Sequence, residues 1–161
     1  MASGGGTHKL QALLSGKPVL QHVIDAVRAS GLPFHVEDVG HPGMGESISA
    51  AVRATPDANG WLILPGDLPL IQASTLLLLA EKLARYDVVI PLCNGRRGHP
   101  VGFSRRCAQQ LMHLTGNQGA AMVVHSHVVM EIPVDDVGTL TDVDTVEDLA
   151  RVQALLDARP G

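Results

Sequence analysis

Apolar residues in PVLQHVIDAVRAS (residues 18–30) fall at Val19, Leu20, Val23, Ile24 and Val27, the spacing of one helix face. Pro18 suits the first turn and Gly31 supplies a stop, so a helix is predicted there. LPFHVEDV (32–39) predicts a short strand, GHPGMGES (40–47) a loop, and SISAAVRA (47–54) a helix that the Ser47 hydroxyl caps. WLILPGDLPL (61–70) opens with four apolar residues before Pro65, too short a run for a helix, which predicts a strand buried on both faces. TLLLLAEKLARY (75–86) reads as a helix, DVVIPLC (87–93) as a second buried strand, HPVGFS (99–104) as a shorter strand and RRCAQQLMHL (105–114) as a helix. GNQGAAMVVH is helical from Gln118 on, VVMEIPV (128–134) is a strand, and TVEDLARVQALLDA (145–158) is a closing helix with Thr145 and Asp148 in capping-box spacing. Strands alternating with helices predict an α/β sheet covered on both faces, with a mostly parallel order.

Composition narrows this picture. The 161 residues, 45% of them hydrophobic, suit one domain without repeats or a long linker. Aromatic residues make up only 2%, so Leu, Val, Ile and Ala must build the core. The net charge is −4, and the basic residues are scattered except for Arg96-Arg97 and Arg105-Arg106, which argues against a nucleic-acid partner. Cys93 and Cys107 form neither a CxxC pair nor a metal spacing; no secretory segment or long apolar run is present, so a cytoplasmic protein without membrane contact is expected.

In sheets of this kind ligands bind beyond the carboxyl ends of the strands, which directs attention to the segments that follow each strand. Asp67, after Gly66 and before Pro69, sits where a carboxylate can hold Mg²⁺ or close an Asx-turn. Of the four acids in TDVDTVEDL, Glu147 and Asp148 suit the first turn of a helix, while Asp142 and Asp144 share a parity and point to one side if extended. One of them can complete a two-carboxylate site with Asp67, and capping competes for Asp144. Gly43, Gly45 and Ser47 can line a ligand or simply connect two elements. Arg96, Arg97 and His99 between Gly95, Gly98 and Pro100 form either an anion-binding loop or a solvated basic one. The N–H groups near Gly119, after Gly116, can accept a phosphate or form a turn. His125 and His127 read as surface residues. The opening MASGGGTHKL places Gly4, Gly5, Gly6 and Lys9 in the chemistry of a phosphate loop, without the strand that normally delivers one. No Gly-x-Ser-x-Gly elbow occurs, which disfavours nucleophilic catalysis.

The order of THKLQALLSGKPVLQHVIDAV, PGMGESISAAV, WLILPGDLPL, GRRGHPVGFS, LTGNQGAAMVV and TDVDTVEDLARV resembles the MobA-like NTP transferase family of molybdenum-cofactor nucleotidyltransferases, within it the cytidylyltransferase branch. That resemblance implies a Rossmann-like three-layer sandwich of the nucleotide-diphospho-sugar transferase type. It also implies transfer of CMP, or GMP, from an NTP to a molybdopterin-type phosphate with release of pyrophosphate. Carried onto matching positions, Gly5, Gly6 and Lys9 would meet the NTP phosphates, and Gly43, Gly45 and Ser47 would lie near base and ribose. Gly66 would border the nucleotide; Asp67 would hold Mg²⁺, assisted by Asp142 or Asp144. Arg97, Gly98, His99, Pro100, Gly116 and Gly119 would shape the acceptor side. CTP or GTP, a molybdopterin-type acceptor and a molybdoenzyme or its chaperone are the implied partners.

Family members begin with a strand and a longer LAAGxSxRMG-type loop, which this sequence lacks before GGGTHKL. A missing first strand exposes a sheet edge, so weak NTP binding or association through that edge is expected. The rival outcome is a binding or partner domain that has lost catalysis.

Overall fold

The computed structural model describes residues 11–37 and 41–159. A small hairpin comes first, β1 (Leu13–Leu14) and β2 (Lys17–Pro18), turned by Ser15 and Gly16, both at positive φ. Helix α1 (Val19–Ser30) follows, ending at Gly31 in the left-handed conformation, as the apolar spacing predicts. The segment 32–36 forms no strand, and Glu37 makes only an isolated bridge. The strand expected from LPFHVEDV is therefore not formed by these residues. Glu37 instead turns its carboxylate to two histidines, accepting from His35 Nε2 at 3.1 Å and His41 Nε2 at 2.9 Å. Those hydrogen bonds, the His41 one foremost, hold its pKa below the usual carboxylate range.

Helix α2 (Met44–Ala54) starts a turn earlier than its apolar pattern indicates. Its N-cap is Gly43 with no side-chain bond, and Ser47 lies buried inside the helix, so the capping role expected for the Ser47 hydroxyl is not observed. Strand β3 (Gly60–Ile63), helix α3 (Ala73–Lys82), strand β4 (Val88–Cys93) and strand β6 (Val101–Ser104) fall where the sequence places them. Between the last two, Asn94 and Gly95 both adopt positive φ and fold Arg96–Arg97 back as strand β5, so part of the expected loop is a tight hairpin. A 3-10 turn (Arg105–Cys107), α4 (Ala108–Met112), α5 (Ala121–His125), β7 (Val129–Pro133), a second 3-10 turn (Val137–Thr139) and α6 (Val146–Asp157) complete the order.

β4 pairs in parallel with β7 along one edge and antiparallel with β6 and β5, while β6 pairs antiparallel with β3. Strands β3, β4 and β7 thus run one way, with reversed β6 inserted between β3 and β4: the sheet is mixed. Alternate residues of β4 face opposite layers. Val88 and Ile90 pack with Ile48, Val52, Leu111 and Val123 of α2, α4 and α5, whereas Val89 packs with Leu79 of α3 and Ile132 of β7. On that second side α1 and α3 also share a cluster through Val23, Val27 and Leu76. Three layers result. Among the described residues no helix is long and apolar enough to cross a membrane.

The capping box of α6 is complete: Thr145 Oγ1 accepts from Asp148 N at 3.0 Å, and Asp148 accepts from Thr145 N at 3.2 Å. Replacing Thr145 with Ala is expected to cost about 1 kcal/mol, lowering the thermal midpoint by roughly 2–4 °C; circular dichroism melting measures it.

Candidate functional site

Beyond the carboxyl end of β3 the chain turns through Pro65 and the buried Gly66 to Asp67. The Asp67 carbonyl accepts the N–H of Val143 at 2.9 Å, which docks the segment before α6 onto this turn. Asp142 and Asp144 bring their carboxylates together, while Val143 between them is buried among Leu14, Val19, Leu70 and Val152. One oxygen from each of Asp67, Asp142 and Asp144 lies within 4.8 Å of the others. The parity of the two late aspartates and the strand-end position of Asp67 thus meet at one point. Three carboxylates so close repel. Burial first, then its hydrogen bond with Asp144 and the negative charges of Asp144 and Asp148, push the Asp142 pKa above the usual carboxylate range. Glu147 and Asp148 act as first-turn acids, and Asp148 also accepts from Asp144 N at 3.0 Å.

The second wall is the turn between β5 and β6. Gly98 N–H donates to the Pro91 carbonyl at 3.0 Å and His99 N–H donates to the Thr139 carbonyl at 2.9 Å. A Cβ on Gly98 would strike the Thr139 carbonyl oxygen and come within 2.8 Å of its carbon, so glycine lets the two segments touch. The His99–Pro100 bond is cis, and Pro100 is buried. Crowding by surrounding protein lowers the His99 pKa, and the charge of Asp142 opposes that shift. Arg97 reaches across the sheet to Glu131, Nε donating to Oε2 at 2.8 Å.

The glycines assigned to opposite sides of the site adjoin one another. Gly45 N–H donates to the Gly116 carbonyl at 2.8 Å, and a Cβ on Gly43 or Gly45 would come within 2.6 Å of Gly116 O or 2.7 Å of Thr115 C respectively. Both oxygens of Glu46 accept from Gly116 N–H at 2.9 Å. The Gly116 amide is therefore committed to Glu46, and loop-to-loop contact accounts for Gly43 and Gly45. Gly119, at φ +60, packs against Met44. Glu46 was not legible from the sequence, because its partner is 70 residues away. Gly5, Gly6 and Lys9 lie outside the described residues. His127, expected at the surface, is half-buried; its Nε2 lies 2.6 Å from Gln110 Oε1, and its ring lies beside Cys107 and Asp87. Burial and the Asp87 charge raise the Cys107 pKa, which marks an inert core thiol.

Acidic residues beyond β3 and a glycine-tight second wall sit at one end of a three-layer mixed α/β sheet. The MobA-like NTP transferase domain family matches residues 26–131, and the chain belongs to that family. It is 28% identical over 132 residues to the bifunctional protein GlmU of Desulfitobacterium hafniense, covering 65% of this chain and 29% of that one. The chain thus spans less than a third of that relative's length. Among solved structures, the manganese complex of Rv0371c from Mycobacterium tuberculosis is similar at a TM-score of 0.81 and 24% identity, over 95% of each chain. Molybdopterin-guanine dinucleotide biosynthesis protein A from Archaeoglobus fulgidus is similar at 0.70 and 18% identity, over 99% of this chain and 100% of that one. These likenesses establish the shared fold.

Proposed function

We propose that the chain transfers a nucleoside monophosphate, CMP in preference to GMP, from an NTP to a molybdopterin-type phosphate and releases pyrophosphate. The observation that carries this reading is the convergence of Asp67, Asp142 and Asp144 beyond β3. Three carboxylate oxygens make a hard, anionic donor set that suits Mg²⁺, which keeps its other positions for phosphate oxygens and water. Such an ion, when bound, supplies positive charge against the triphosphate. The manganese in the Rv0371c complex supports a divalent site in this fold.

The chain's own residues do the positioning. Asp67, on a turn set by β3, and Asp142 and Asp144, fixed by the Val143 N–H bond to Asp67 O, form one anionic floor. His99, its main chain held by the bond to Thr139 and its ring within electrostatic reach of Asp142, is assigned to the acceptor phosphate. Arg97, whose Nε is paired with Glu131, is assigned to the acceptor side from the sequence, as Lys9 is to the NTP phosphates. Glu46 clamps the 115–117 loop onto the start of α2, which shapes the nucleotide side by backbone rather than by free amide donors. In-line attack by an already ionised acceptor phosphate calls for positioning and charge neutralisation and no general base. A molybdoenzyme or its chaperone would receive the product.

Pyrophosphate release tests the reaction. With Mg²⁺ and a molybdopterin acceptor, release from CTP exceeding that from GTP is expected. No release from either, with nucleotide still bound, would favour a binding domain without catalysis.

A further inference from the structure

Residues 136–144 cross the foot of the site as a strap, and Asp136 pins its near end. The residue is 4% exposed. Its Oδ2 accepts the N–H of Gln72 at 2.9 Å and the hydroxyl of Thr75 at 2.8 Å, and its Oδ1 accepts the N–H of Gly138 at 2.8 Å. Gln72 is the N-cap of α3 and contributes no side-chain cap; the Asp136 carboxylate binds the N–H of that residue and the Thr75 hydroxyl, tying the start of α3 to another part of the chain. Its carbonyl adds bonds from Thr139 N at 3.1 Å and Thr139 Oγ1 at 2.8 Å. The next contacts along the strap are functional ones: Thr139 O holds His99 N–H, and Val143 N–H holds Asp67 O.

Two loops carry the trio, one bearing Asp67 and running into α3, the other bearing Asp142 and Asp144. Asp136 ties the second loop to the helix that terminates the first. From this geometry we infer that Asp136 is a positioning residue, fixing the distance between Asp67 and the Asp142–Asp144 pair and the place of the His99 main chain held by Thr139. The inference rests on the reading of the trio as a divalent-cation site. An Asn at this position keeps the shape but substitutes an amide N–H₂ for one acceptor oxygen, opposing a donor from Gly138, Gln72 or Thr75. The strap then shifts relative to Asp67 while the fold persists.

The test is Mn²⁺ titration of the full 161-residue chain, following the free-ion signal by electron paramagnetic resonance at a temperature where circular dichroism shows each variant folded. Asp136→Asn is expected to weaken Mn²⁺ binding by about 10- to 100-fold, the usual effect of removing a partner that orients metal ligands. Thr75→Ala, which removes one of the donors, shifts affinity the same way by less. Thr55→Val, which loses the bond from Trp61 Nε1 near the start of β3, away from Asp67, is destabilised yet keeps wild-type affinity. Asp67→Asn removes binding. Wild-type affinity in folded Asp136→Asn, with Asp67→Asn inactive in binding, overturns the inference and leaves the metal reading intact. Should Asp136→Asn not fold, unchanged affinity in Thr75→Ala overturns it. A wild-type chain that binds no Mn²⁺ overturns both.

Discussion

Asp67→Asn is expected to lower nucleotidyl transfer roughly 1,000-fold, the rate equivalent of losing several kcal/mol of charge stabilisation at phosphate, while the thermal midpoint without ligand stays level or rises. Both halves come from one feature. Asp67, Asp142 and Asp144 hold carboxylate oxygens within 4.8 Å of each other, and like charges so close repel. Removing one relieves repulsion in the ligand-free protein and at the same time dismantles the anionic floor. The Asn side chain keeps the size of Asp, and the Asp67 carbonyl that holds Val143 N–H is untouched, so the strap stays docked. Pyrophosphate release and a melting curve on the same preparation measure the two effects. A large fall in midpoint would assign Asp67 to structure.

Gly138→Ala is expected to destabilise by about 3 kcal/mol, the upper range for overpacking, which lowers the midpoint by roughly 6–12 °C. A Cβ there would strike the carbonyl of Leu70 and lie within 2.6 Å of Ile71 N. Both are backbone atoms of the turn between Asp67 and α3, and no side-chain rotation relieves the clash. Gly31→Ala is the matched comparison: Gly31 sits at φ +77 with nothing within 4 Å of an added Cβ. It incurs only the left-handed backbone penalty, about 1 kcal/mol. Chemical unfolding of both variants separates crowding from backbone strain. Equal losses would contradict the close packing of Gly138 on residues 70–71.

These features differ in how far the sequence discloses them, for physical reasons. Val88 to Cys93 was legible as a strand because burial on both faces writes a continuous apolar run, and Trp61 to Ile63 because its short apolar run stops at Pro65. The Thr145–Asp148 box was legible because a cap is local chemistry at fixed spacing. The acid trio was half legible: parity paired Asp142 with Asp144, and strand-end position marked Asp67. Strand direction is not written in apolar runs, so reversed β6 left no sign. Gly43 at the start of α2 went unread because its helix opens with Met44, Gly45 and Glu46, ahead of the apolar stripe that marks the rest. LPFHVEDV has the alternation of a strand, but its residues 32–36 have no ladder and Glu37 is drawn to its histidines. Glu46 and Asp136 were invisible for a common reason: each acts on main-chain donors far away in sequence.

The central claim is that the trio beyond β3 makes nucleotide binding depend on a divalent cation. The most direct measurement is the thermal midpoint of the wild-type chain with CTP, GTP or ATP at saturating concentration, with and without Mg²⁺. A ligand that binds only the folded state raises the midpoint by mass action. The expected result is a rise that requires Mg²⁺, is largest with CTP and is absent in Asp67→Asn. A rise of equal size without Mg²⁺, or no rise with any of the three nucleotides, would contradict it.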